Sequence, residues 1–130
     1  MNRGYIIHPG LLELIASLGH TDSIVIADAG LPVPQGVPRI DLAFVRGSPS
    51  FQSVLEAVSK DLVIESAVMA EEARERSPEM LDQALRFLPR DVSFVSHEEF
   101  KRLTRSARAV IRTGETTPYA NVILRAGVDF

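Results

Sequence analysis

The sequence predicts an α/β fold, a three-layer αβα sandwich around a mixed central sheet of about six strands, and three observations carry that expectation. Apolar residues recur at helical spacing in three segments: Leu11, Leu14, Ile15 and Leu18; Phe51, Val54, Leu55 and Val58; Leu81, Ala84, Leu85 and Leu88. Short β-prone runs fall between those segments, so strands alternate with helices on both faces of one sheet. The chain closes on two β-prone runs joined by a turn, which points to a mixed sheet and not a purely parallel one. With 130 residues the chain has the size of one domain with one core, so residues 1–130 are expected to form a single domain.

The elements follow in order. The first helix begins near Pro9 and stops at Gly19, which delivers His20 to its C-terminal end. Ser23 to Ala27 is a buried strand, since neither of its faces carries a polar residue in the Ile24-Val25-Ile26 run. After Asp28 comes a long loop stiffened by Pro32, Pro34 and Pro38. Ile40, Leu42 and Phe44 alternate with Asp41 and Ala43, the pattern of a second strand. Ser48 and Pro49 then form an N-cap and first-position pair for the second helix.

Leu62 to Ala70 is apolar apart from Glu65 and Ser66; its first half reads as a third strand and its second half as the possible start of a helix. The mixed charges of Glu71 to Arg76 suit a solvated helix face or a turn. Ser77-Pro78 opens a third helix that Pro89 stops, and Val92 to Val95 is a short strand. Ser96-His97-Glu98-Glu99 matches the capping box, which puts His97 in the first turn of a fourth helix. Ala107 to Ile111 and Tyr119 to Leu124 are the closing strands, separated by the turn-rich Gly114 to Pro118.

Composition excludes several functions. A net charge of −3 with a pI near 5.6 lacks the basic footprint of a nucleic-acid binder. The absence of cysteine removes disulfides, thiolate catalysis and Cys-based metal sites. No apolar run approaches the ~20 residues of a membrane span, and Met1 to Tyr5 lacks the apolar segment of a secretory signal, so a soluble cytoplasmic protein is expected. The glycines form neither a dinucleotide fingerprint nor a phosphate loop, and Gly47 to Phe51 is not a nucleophile elbow. His8, His20 and His97 show no metal-ligand spacing, and no required metal is expected. Lys101, Arg105, Arg108 and Arg112 read as a solvated basic face that outlasts its helix. The terminal Phe130 docks either on its own domain or at a subunit contact.

What remains is a pair of imidazoles at element ends, His20 and His97, a carboxylate at a strand end, Asp28, and Tyr119 and Asn121 at the start of a late strand. Taken singly, His20 could satisfy carbonyls at its helix terminus, Asp28 could form a turn, and the other three could be ordinary cap or strand residues. As a set they suit a neutral, hydroxyl-rich ligand.

Several motifs in one order carry a wider resemblance: Leu18-Gly19-His20-Thr21-Asp22, Asp28-Ala29-Gly30-Leu31-Pro32-Val33-Pro34, Arg39-Ile40-Asp41, His97-Glu98-Glu99-Phe100-Lys101, and Val110 through Pro118-Tyr119-Ala120-Asn121 to Leu124. Together they resemble the D-ribose pyranase family, related to the fucose mutarotases, over nearly the entire chain. The resemblance implies a cofactor-free isomerase that interconverts the β-pyranose and β-furanose forms of D-ribose, working as a ring-shaped homo-oligomer, typically a decamer. It assigns the catalytic acid to His20 and substrate binding to Asp28, His97, Tyr119, Ala120 and Asn121. Asp28 would accept hydrogen bonds from sugar hydroxyls and steady His20, while His97 and the Tyr119 segment would approach from a neighbouring subunit. Two other readings stay open at this point: a mutarotase for L-fucose or another aldose, and a non-catalytic sugar-binding partner of an uptake system.

Overall fold

A computed structural model describes residues 4–130; Met1, Asn2 and Arg3, which open the stretch read above for a signal, lie outside the described residues. One six-stranded sheet organises the molecule, in the order β2-β5-β1-β6-β3-β4. The strands are β1 (Ser23–Ala27), β2 (Arg39–Asp41), β3 (Ile64–Ala70), β4 (Val92–Val95), β5 (Val110–Arg112) and β6 (Val122–Ala126). β1 pairs parallel with β5, β5 with β2, and β3 with β4. β6 runs antiparallel to both its neighbours, β1 and β3. The predicted mixed sheet is therefore the observed one, with its antiparallel strand in the middle.

Side-chain alternation sorts the sheet into two cores. Ile24 and Ile26 of β1, Val122 and Leu124 of β6, and Ala67 and Met69 of β3 point to one face. There they meet Leu11 and Leu14 of α1 (Pro9–Ser17), the stripe Phe51, Val54, Leu55 and Val58 of α2 (Phe51–Asp61), and Leu81 and Ala84 of α4 (Pro78–Leu85). Val25, Ala27, Val110 and Ile123 point the other way, onto Phe100 of α5 (His97–Leu103) and Leu31 of the proline-rich loop. Helices do cover both faces, α1, α2 and α4 on one and α5 on the other. Each large apolar side chain removed from water this way contributes roughly 1.5–3 kcal/mol.

The structure departs from expectation where side chains redirect the backbone. The second strand ends at Asp41, not Phe44, because the Asp41 carboxylate accepts a hydrogen bond from Ala43 N at 3.0 Å and turns the chain. Phe44 is consequently 83% exposed. Ser50, not Ser48, caps α2, accepting from Ser53 N at 3.1 Å. Pro49 follows a cis peptide bond in the preceding turn. β3 keeps strand geometry through Ala70 with no helical half, since β6 and β4 pair with it on both sides. The charged run contains a single-turn helix, α3 (Ala73–Arg76).

Pro78 starts α4 as predicted, but Ser77 makes no side-chain cap; its hydroxyl donates to Pro118 O at 2.6 Å. Helix α4 ends at Leu85, itself 40% exposed. The closing strands are also shifted: β5 begins at Val110 and β6 at Val122, leaving Tyr119, Ala120 and Asn121 in the turn before it. Tyr119 has φ +63°, a left-handed value that a strand residue cannot hold. Phe130 is fully exposed on this chain, which removes the reading in which it tucks onto its own domain.

Candidate active site

Parallel strands in an open α/β sheet present ligand sites at their carboxyl ends. At that edge, the C-terminal end of β1 meets the start of β6. Asp28 follows β1 immediately, and its backbone N donates to Asn121 Oδ1 at 2.7 Å. Asn121 Nδ2 returns a bond to Asp28 Oδ2 at 3.1 Å, and Asp28 Oδ1 accepts from Gly30 N at 3.0 Å. Asn121 is fully buried, so both ends of its carboxamide are committed and its orientation is fixed. The loop behind Asp28 is tied down by Ala29, whose N donates to Glu115 O and whose carbonyl accepts from Arg112 Nε.

Two residues before Asn121, the Tyr119 ring stands edge-on to the His97 ring, with centroids 5.1 Å apart. Ser96 caps α5 by accepting from Glu99 N at 3.1 Å, as the capping box predicts. Glu99 pairs with Arg102, and Glu72 reaches across to accept from the first amide of the helix, His97 N, at 3.0 Å. Glu72 thus holds the start of the helix that carries the imidazole, with the favourable charge for a helix N-terminus. His97 Nδ1 is buried and has no hydrogen-bond partner within the chain. Asp28, Asn121, Tyr119 and His97 therefore come together within one chain, with buried Ala120 between two of them, which corrects the expectation that His97 and the Tyr119 segment reach Asp28 from a neighbouring subunit.

His20 lies elsewhere. It precedes β1, whose five residues separate the two sheet edges by roughly 15 Å. His20 sits in a turn closed by Asp22 N on Gly19 O, with Thr21 at φ +74°. Asp22 also accepts from Gly19 N and from Arg108, and these bonds hold its carboxyl below the ordinary value, Gly19 contributing most. The carboxylate beside His20 is not Asp28 but Glu65, whose Oε1 lies 2.9 Å from His20 Nε2. The expectation that Asp28 steadies His20 is thus corrected within the chain: β1 keeps them at opposite edges. The only signal for Glu65 in the sequence was its interruption of an apolar strand, and Glu72 was hidden in the charged run.

Thr21 and Tyr119 are the two non-glycine residues with positive φ among the described residues, and each adjoins one half of this polar set. Strain of that kind concentrates at functional positions. Among the described residues no group of three or more His, Asp or Glu side chains is arranged to hold a metal ion. The basic residues do not form a stripe: Lys101 pairs with Glu98, Arg108 with Asp22 and Arg112 with Asp41. No helix among the described residues is long and apolar enough to cross a membrane.

Fold and side chains together define an α/β protein that presents imidazole, carboxylate, carboxamide and phenol groups at strand ends, a set suited to a small polyhydroxylated ligand. The chain belongs to the RbsD / FucU transport protein family, whose model matches residues 1–129. It is 53% identical over 131 aligned residues, all of this chain and 99% of the relative, to the D-ribose pyranase of Geobacillus thermodenitrificans. It superimposes on the structure of Bacillus subtilis RbsD complexed with D-ribose with a TM-score of 0.96, at 46% identity over the whole of both chains. The fucose mutarotase of Streptococcus pneumoniae in complex with L-fucose shares the fold, with a TM-score of 0.73 at 24% identity, covering 95% of each chain.

Proposed function

We propose that this protein is a D-ribose pyranase, an isomerase that interconverts the β-pyranose and β-furanose forms of D-ribose. The observation that carries the reading is 53% identity over the full chain to a protein named for that activity. The match to a structure solved with D-ribose, at 46% identity against 24% for the fucose-bound one, supports ribose as the ligand.

The chemistry needs only proton transfers. A proton leaves the anomeric hydroxyl, the bond from C1 to the ring oxygen breaks, and that oxygen takes up a proton, which gives the open-chain aldehyde. The hydroxyl on C4 then attacks C1 and loses its proton while the carbonyl oxygen gains one, which gives the furanose. Imidazole exists in both protonation states near neutrality, so it can give or take those protons. His20 is the proton donor in this scheme. Such acid-base catalysis contributes typically 10²- to 10⁴-fold.

Asp28, Tyr119 and His97 supply groups for sugar hydroxyls, while Asn121 holds the Asp28 carboxylate in place from its buried position, with Ala120 as the small residue beside it. Each such bond nets only ~0.5–1.5 kcal/mol, so several must converge on one sugar. Because His20 and this cluster occupy opposite edges of one chain, the working site forms between two copies, His20 of one facing the cluster of the next. Made head to tail, such a contact is a heterologous interface, and it closes into a ring when the rotation from one copy to the next divides a full turn. A homodecamer built from such rings, working in the cytoplasm without a cofactor, completes the proposal.

Saturation-transfer NMR between the pyranose and furanose signals of D-ribose tests it. Wild-type protein accelerates the exchange and His20→Ala does not; a wild type without effect overturns the reading. A larger acceleration with L-fucose would make the protein a fucose mutarotase, and ribose binding without exchange would make it a non-catalytic sugar-binding protein.

A further inference from the structure

Three backbone features converge on the pair formed by His20 and Glu65. Glu65 occupies a β-bulge: the register between β3 and β6 shifts between Ile64 and Ser66. Bulges re-aim a side chain out of the regular alternation. Across the bulge lies Gly127, where a Cβ atom would come within 3.2 Å of Glu65 Cβ, so the glycine leaves room for the carboxylate's approach. On the other partner, Thr21 holds a left-handed φ of +74°, strained for a β-branched residue, and its N donates to Ala126 O at 2.9 Å, which pins the His20 turn beside β6. The nearby charges Asp22 and Arg108 are bound to each other at 2.7 Å and leave Glu65 as the carboxylate on the imidazole.

An ion pair in open solvent does little, and on this chain alone both partners are about half exposed. The pair gains weight if a second copy covers it, because removing water strengthens the interaction. We propose that Glu65 is the positioning residue of the catalytic imidazole: it anchors Nε2 of His20, fixes the ring and its tautomer, and leaves Nδ1 as the atom that exchanges a proton with the sugar. The inference rests on the reading of His20 as proton donor and names the group that makes that donor directional, a role the sequence had suggested for Asp28. In histidine-carboxylate pairs generally, the bond at one ring nitrogen decides which tautomer is present at the other.

Kinetics and spectroscopy of the assembled protein separate this from a surface contact. Glu65→Ala is expected to lower kcat for ribose exchange roughly tenfold or more with KM little changed, the sign of a group that acts on the reacting centre and not on sugar binding. Glu65→Gln, which can still accept from Nε2, is expected to recover part of that loss and serves as the test if the alanine variant folds poorly. In alkaline buffer, ¹⁵N spectra of histidine-labelled protein are expected to show neutral His20 protonated at Nε2, with the tautomers mixed in Glu65→Ala. The inference is overturned by an unchanged kcat in both variants, by a rise in KM that accounts for the whole effect, or by a His20 proton residing on Nδ1. If His20→Ala retains full activity, the reading of His20 itself fails, a result distinct from a silent Glu65.

Discussion

At the scale of the residue, the polar set divides into groups that were readable and groups that only the fold reveals. His20 and Asp28 stood out because each lies where an apolar run stops, which is where chemistry is commonly mounted. Their separation could not be read: a five-residue strand between them fixes them at opposite edges, and the carboxylate that reaches His20 comes from position 65, 45 residues away. Asn121 shows the same limit, since its partner is Asp28, 93 residues distant. Its carboxamide is the one group that satisfies Asp28 N and braces the Asp28 carboxylate at once. Asn121→Ala therefore leaves a half-buried amide without its acceptor and the Asp28 carboxylate with Gly30 N in place of two donors. The expected cost is ~1–3 kcal/mol of stability, read as a lowered urea midpoint, together with a raised KM for ribose exchange. An unchanged midpoint would mean that water replaces the carboxamide at no cost.

At the scale of the element, the connection from β5 to β6 does more than its turn-like sequence suggests. Gly114 packs against the Val45–Ser48 turn so closely that a Cβ would meet Ser48 O and lie 2.6 Å from Val45 O, both backbone atoms that cannot swing aside. Gly114→Ala is expected to destabilise the fold by ~1–3 kcal/mol, measured by thermal or urea unfolding, with the turn before α2 the first part to lose amide-exchange protection. The next residue, Glu115, accepts from Phe51 N, the first residue of α2, and from Thr117. Burial pushes its carboxyl up, but the bonds from Thr117 and Phe51 outweigh that and hold it below its ordinary value of 4.5. A carboxyl lowered in the folded state stabilises the fold above its unfolded value and loses that contribution as pH falls through the lowered one. The stability difference between wild type and Glu115→Gln should thus be full near neutrality and shrink below about pH 4.5, which a series of urea midpoints across that range would read. The stripes of α1 and α2 and the runs of β1 and β4 were legible because burial decides them residue by residue. The ends of β2 and β6 were not, because Asp41 and Asn121 turn the chain with side-chain bonds that leave no mark in apolar periodicity.

At the scale of the whole molecule, the fold class was legible and the placement of His20 and Asp28 at opposite ends of β1 was not, since a sheet's layers follow from local pattern whereas that separation follows from topology. That separation makes the proposed shared site testable without a structure of the oligomer. On the proposed roles, His20→Ala protein lacks the proton donor in every site and Asp28→Ala protein lacks the sugar anchor in every site, so each should be inactive alone. If each site takes His20 from one copy and Asp28 from the next, co-assembled mixtures of the two variants contain some sites that are wild type in both halves. For equal amounts mixed at random, about a quarter of the interfaces in a head-to-tail ring pair an intact His20 edge with an intact Asp28 edge. Ribose exchange should therefore recover to about a quarter of the wild-type rate after the subunits are unfolded together and reassembled, and stay absent when the two proteins are mixed without subunit exchange. A site built within one chain would give no recovery under either condition, because no single copy then carries both groups.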